Sequence, residues 1–171
     1  MDEPAPIIMT ALLERDAFAR FDALRQAHFQ PERNFLSAHL TMFHHLPGTQ
    51  AAEIVSEVRE RVRHEEPMTA RASRMHFMGR GSSIIVECPE LARLRSDLAE
   101  LWSHQLTRQD AQGWRAHVTV QNKVASDKAK SLYRKLDASF SPWSFSIEGV
   151  SLWWYRGGPW EKLRDLRFAI S

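Results

Sequence analysis

The sequence predicts an α+β fold containing an internal duplication. Two observations carry this. The stretch Ala38-His39-Leu40-Thr41-Met42 returns as Ala116-His117-Val118-Thr119-Val120, with the two histidines 78 positions apart. Around each copy the hydrophobic period changes in the same order, giving a helix, the His-x-Thr strand, a second helix and two strands. No long linker and no low-complexity tract divides the chain, so one domain is expected across residues 1–171.

The elements follow in order. Pro6 to Leu13 is a short apolar run that reads as a central strand. Over residues 15–29 the period changes, with Phe18, Phe21, Leu24 and His28 at helical spacing, until Pro31 ends the helix. Asn34 and Phe35 lead into the first His-x-Thr strand, which closes at the turn Leu46-Pro47-Gly48. Ala51 to His64 is a helix whose apolar stripe is Ile54, Val55, Val58 and Val62. From Pro67 to Met78 and on through Ile84-Ile85-Val86 the chain reads as a hairpin turned at Gly79-Arg80-Gly81. Pro89 opens a third helix lined by Leu91, Leu94, Leu98 and Leu101. Asp110 to Gly113 reads as a loop before the second His-x-Thr strand. Ser126-Asp127 is the expected cap of a fourth helix, with Ala129, Leu132, Tyr133, Leu136 and Phe140 on its buried face and Pro142 as its stop. A strand from Trp143 passes a bulge near Gly149 and continues to Tyr155. Gly157-Gly158-Pro159 turns the chain into a last strand, Leu163 to Ile170.

Composition narrows the class. Hydrophobic residues at 43% and charged residues at 26% are those of a soluble globular protein. No apolar run approaches the roughly eighteen residues that span a bilayer, so no membrane partner is expected. The acidic, proline-bearing start lacks the pattern of a signal peptide, and the single Cys88 allows no intrachain disulfide, so a reducing cytoplasm is the expected compartment. A net charge of +2 suits a phosphate-bearing ligand but is too small for tight binding of long RNA. Oligomeric state is not legible.

The spacing within each motif matters because strand side chains alternate between faces. Ser37, His39, Thr41 and Phe43 are expected on one face; Arg115, His117, Thr119 and Gln121 share one in the second copy. Each strand then presents an imidazole and a hydroxyl about 7 Å apart over an apolar floor. A lone His-x-Thr is usually an ordinary strand. Eight His and six Thr predict about 0.3 chance occurrences, and two occur in one apolar frame.

On these residues the chain resembles the 2H phosphoesterase superfamily, and within it the 2′-5′ RNA ligase-like group, the RNA 2′,3′-cyclic phosphodiesterases. The strand Val150-Ser151-Leu152-Trp153 is similar to the family's penultimate strand. Ala116 departs from the proline that many members carry, and Gln121-Asn122-Lys123 falls where members vary. The resemblance implies two pseudo-symmetric lobes of antiparallel sheet, outer helices and a central cleft. It also implies hydrolysis of a 2′,3′-cyclic phosphate on an RNA end or small nucleotide to a 2′-phosphate, with 2′-5′ ligation as the reverse reaction, and no cofactor or metal.

The residue chemistry agrees with that expectation. Opening a cyclic phosphate needs a base for water and an acid for the leaving oxygen, and histidine titrates in the useful range. His39 and His117 are the candidate acid–base pair; Thr41 and Thr119 are candidate donors to the phosphoryl oxygens. Phe43 is a candidate stacking platform, and Arg115 and Lys123 are candidate phosphate contacts. Arg33 and Arg156 are weaker ones. Trp143, Trp153, Trp154 and Tyr155 read as core or cleft lining, and His76 as cleft or surface. Two other readings stay open from sequence: a nucleotide- or RNA-binding module without turnover, and a metal-dependent hydrolase using His39, His44 and His45.

Overall fold

In the computed structural model, which describes residues 3–169, the elements are β1 (Ile7–Leu13), α1 (Arg15–His28), β2 (Thr41–Leu46), α2 (Ala51–Val62), β3 (Met68–Phe77), β4 (Ser82–Glu87), α3 (Pro89–Leu101), α4 (Arg108–Ala111), β5 (His117–Gln121), α5 (Ser126–Ser139), β6 (Trp143–Trp154) and β7 (Glu161–Arg167). The helix–strand–helix–hairpin order is therefore present twice, with α4 added before the second motif. The end of the expected last strand, Ile170, lies outside the described residues.

Every strand pair is antiparallel, in the order β2-β1-β6-β3-β4-β5, with β7 also on β6. Strand β6 is the spine. Residues 147–154 pair with β1, residues 143–147 pair with β3, and residues 149–154 pair with β7. One lobe is thus β2, β1, the end of β6 and β7; the other is β5, β4, β3 and the start of β6. The bulge expected near Gly149 is present: Leu12 pairs with Gly149 and Leu13 with Ile147, leaving Glu148 extra. A side chain at Gly149 would run into the Leu166 carbonyl of β7, so glycine permits the close pairing.

The core lies between sheet and helices. Strand β1 is buried almost throughout, as a central strand should be. Helix α2 buries the predicted stripe Ile54, Val55, Val58 and Val62. Helix α3 starts at Pro89 and buries Leu91, Leu94 and Leu98, but Arg95 joins that stripe while Leu101 is exposed. Helix α1 buries Ala17, Phe21 and Arg25 and leaves Phe18 exposed, so its buried face is rotated from the expected one. Helix α5 begins at Ser126, with Ala125 as its cap residue and no side-chain cap bond, in place of the expected Ser126-Asp127 cap. No described helix is long and apolar enough to cross a membrane.

Candidate active site

The two motifs lie at the two ends of the strand order, at β2 and β5. His117 opens β5, whereas His39 lies two residues before β2, in an extended segment that meets β1 where Ala11 N donates to the Leu40 carbonyl at 2.9 Å. Despite this difference the two rings are held alike. His39 Nδ1 lies 2.8 Å from the Ser37 carbonyl, and His117 Nδ1 lies 2.9 Å from the Arg115 carbonyl. A carbonyl only accepts, so Nδ1 carries the hydrogen on each ring and Nε2 is left for chemistry.

The outer strands are tied to each other across the cleft. Trp114 Nε1 donates to the Thr41 carbonyl at 3.0 Å. From α1, Arg25 donates through Nη1 to the Thr119 carbonyl at 3.2 Å and through Nε to the Leu36 carbonyl at 3.1 Å. From α3, Arg95 donates through Nε to the Met42 carbonyl at 3.1 Å and through Nη2 to the Asp110 carbonyl at 2.7 Å. The arrangement is reciprocal. Helix α1 precedes β2 yet grips β5, and α3 precedes β5 yet grips β2. Both guanidiniums are buried, at 4% and 6% exposure. The Asp110 carboxylate completes the set by accepting from His44 N and His45 N at 2.9 Å and from His44 Nδ1 at 3.1 Å. Burial opposes ionisation of Asp110, but these three hydrogen bonds outweigh it and hold its pKa below the usual carboxylate value.

Cross-strand register shows what faces the cleft, because paired residues share a face. In the first lobe Thr41 pairs with Thr10, and Thr10 with Ser151. In the second, Thr119 pairs with Ser83, and Ser83 with His76. Beside the first row is a cavity of about 430 Å³ whose lining includes His39, Phe18, Phe35, Trp153, Trp160 and Lys162. The His39 and Trp160 ring centroids are 4.6 Å apart. Beside the second row is a cavity of about 320 Å³ lined by His117, His76, Ser83, Trp114 and Arg115, among others.

Burial pushes the His39 imidazole down to about 4; the Ser37 carbonyl opposes this, and the charges of Arg25, His117 and His44 add to it. His76 is also lowered, first by burial and then by Arg74, Arg115 and His117.

Of the residues singled out from sequence, His39 lines the first cavity and His117 and Arg115 line the second; Thr41 and Thr119 line neither and are placed by register beside Thr10 and Ser83, which do. Phe43 does not face the cleft. Met9 pairs with Phe43 and Thr10 with Thr41, so Met42 is an extra residue; this bulge turns Phe43 into the core, at 0% exposure, against Trp102 and under Arg95. Lys123 lies past β5 with a positive φ of 60°, is exposed, and lines neither cavity. His44 is engaged with Asp110. Among the described residues, no group of three or more His, Cys, Asp or Glu is placed to hold a metal ion. Trp160 and Lys162 escaped the sequence reading because they follow the Gly157-Gly158-Pro159 turn; the nearby cluster of tryptophans was the available signal.

A family model described as the 2′-5′ RNA ligase superfamily matches residues 13–159. No curated protein matches the chain by sequence. Among solved structures, TT0787 of Thermus thermophilus aligns with a TM-score of 0.68 at 15% identity, covering 95% of this chain and 97% of that one. E. coli LigT complexed with 3′-AMP aligns at 0.66 and 16% identity, covering 98% and 99%. E. coli LigT complexed with NADP+ aligns at 0.61 and 17% identity, again covering 98% and 99%. These structural likenesses establish a shared fold over nearly whole chains. The family match, which spans most of the chain, makes it a member of the 2′-5′ RNA ligase superfamily.

Proposed function

We propose that the protein hydrolyses 2′,3′-cyclic phosphates of RNA ends or small nucleotides to 2′-phosphates, with the two motifs as its catalytic groups. The observation that carries this reading is the matched fixing of both imidazoles through Nδ1, at 2.8 Å and 2.9 Å, on strands tied edge to edge. Both Nε2 atoms are thereby available for proton transfer.

The cyclic phosphate lies between Thr41 and Thr119, whose hydroxyls donate to its non-bridging oxygens as charge accumulates there. Water attacks phosphorus and gives its proton to Nε2 of His39. The bond from phosphorus to the 3′-oxygen breaks, and that oxygen takes a proton from Nε2 of His117. The base role falls to His39 because burial keeps it neutral near pH 7. An anionic phosphate bound beside the ring raises its proton affinity toward the range where a base works well. With a 5′-hydroxyl attacking in place of water, the same steps open the cyclic phosphate to a 2′-5′ diester and a free 3′-hydroxyl, which is the 2′-5′ ligation chemistry. The aromatic cavity beside His39 suits a nucleobase, and a nucleotide ligand accords with the 3′-AMP and NADP+ complexes of LigT.

The test is a product-resolved assay of 2′,3′-cyclic nucleotides with EDTA present. Conversion to the 2′-phosphate is expected. Absence of turnover, or activity that vanishes with chelator and returns with a divalent metal, overturns the reading.

A further inference from the structure

We propose that the cavity beside His117 is a second phosphate subsite, which takes the phosphate on the 5′ side of the nucleotide bearing the cyclic group. The proposal rests on the phosphodiesterase reading above and narrows its substrate to molecules with a second phosphate.

The duplicated fold supplies an internal comparison. The rows Thr41–Thr10–Ser151 and Thr119–Ser83–His76 occupy corresponding places in the two lobes. In the first row the middle hydroxyl is satisfied, because Trp153 Nε1 donates to Thr10 Oγ1 at 3.0 Å. In the second, Ser83 Oγ has no partner, although Ser83 is 0% exposed. Its register with Thr119 and His76 sets the hydroxyl on the cleft face, at the floor of the cavity. A buried hydroxyl without a partner is costly unless something comes to meet it.

Charge indicates what comes. Arg74 pairs with Ile85, and Ile85 with His117, so Arg74 shares this face with His76, Arg115 and His117. None of the ion pairs among the described residues includes Arg74 or Arg115. The carboxylate lining the cavity, Asp110, is already bonded to His44 and His45. Arg115, His76 and His117 line the cavity with Arg74 next along the same face, and with no free acid beside an unpartnered hydroxyl donor they form a site for an anion carrying acceptor oxygens, which a phosphate is.

The opposite cavity is aromatic, with Phe35, Trp153 and Trp160 in its lining. Arg15 and Lys162 line it too, Lys162 being paired with Asp165, so it is the rings that favour one orientation of a bound nucleotide. Its base lies beside His39, its cyclic phosphate between the threonines, and its 5′-phosphate beside His117. An RNA 3′ end fits, because that 5′-phosphate is then the last diester of the chain.

The experiment compares four substrates on the full chain. They are a nucleoside 2′,3′-cyclic phosphate, its 5′-phosphorylated form, a dinucleotide ending in the cyclic phosphate, and that dinucleotide with a neutral methylphosphonate linkage. The dinucleotide is expected to exceed the bare nucleoside in kcat/KM by about tenfold or more, the scale of one charge-assisted hydrogen bond. The methylphosphonate is expected to lose that advantage. A similar gain with the 5′-phosphorylated form also supports the subsite and identifies a terminal phosphate as a sufficient occupant. Ser83→Ala and His76→Gln are expected to shrink the dinucleotide-to-nucleoside ratio, with the loss mainly in KM. Equal kcat/KM for charged and neutral linkages, or a ratio unchanged in both variants, overturns the subsite. Absence of turnover on all four substrates overturns the phosphodiesterase reading instead.

Discussion

Arg25 Nη1 donates to the Thr119 carbonyl at 3.2 Å, joining residues 94 positions apart, while Nε of the same side chain holds the Leu36 carbonyl three residues before His39. One planar fork therefore fixes the approach to one histidine and the strand of the other. Arg25→Met leaves both carbonyls without this donor, and each unpaired buried group costs about 1–3 kcal/mol. We expect a loss of about 2–4 kcal/mol in denaturant unfolding, and a kcat that falls more than KM rises. Arg25→Lys retains the charge without the fork and should recover only part of both.

Replacing His39 or His117 singly by Ala should lower kcat by roughly two to four decades, the usual scale for an acid or base. Neither ring bridges the two lobes, so the unfolding midpoint of each variant should stay close to that of the parent. A fall in activity that tracks a fall in stability would contradict the catalytic role.

The lowered His39 pKa predicts how stability depends on pH. Its folded value is about 4, against about 6.5 for the exposed group in the unfolded chain. Between those values the unfolded state binds the extra proton, so stability rises with pH through this window. His76, also lowered, contributes with the same sign. Acidification from pH 6.5 toward 4 should therefore destabilise the protein, and His39→Asn should flatten the slope, as measured by urea unfolding across that range.

Phe43 and Trp160 should respond in opposite ways. Phe43 is fully buried against Trp102, so Phe43→Ala should cost about 3–5 kcal/mol, with little change in the KM of the folded enzyme. Trp160 packs on His39, so Trp160→Ala should raise KM and let the His39 pKa climb toward its ordinary value, as followed by proton NMR titration.

The duplication, the order of elements and the two motif histidines were legible because they depend on local period and spacing. Local alternation put Phe43 beside Thr41, but the pairing of β2 with β1 inserts an extra residue there, and a bulge depends on the partner strand. Nothing in the local period singles out Arg25 or Arg95; only the folded chain brings distant carbonyls to them. Asp110 read as part of a loop, yet it is fully buried and fastens α4 to β2. The unpartnered Ser83 was equally hidden, since a missing hydrogen bond leaves no trace in sequence.

Strand β6 runs through both lobes without a break, pairing with β3 at one end and with β1 and β7 at the other. The repeated halves have thus lost their independence, for a chain ending before Trp143 would leave β1 and β3 with bare edges. Melting of either half removes the template of the other, so a single cooperative transition is expected from a two-part shape. Drawing the histidines apart would have to untwist that one ribbon and also break the Trp114–Thr41 hydrogen bond.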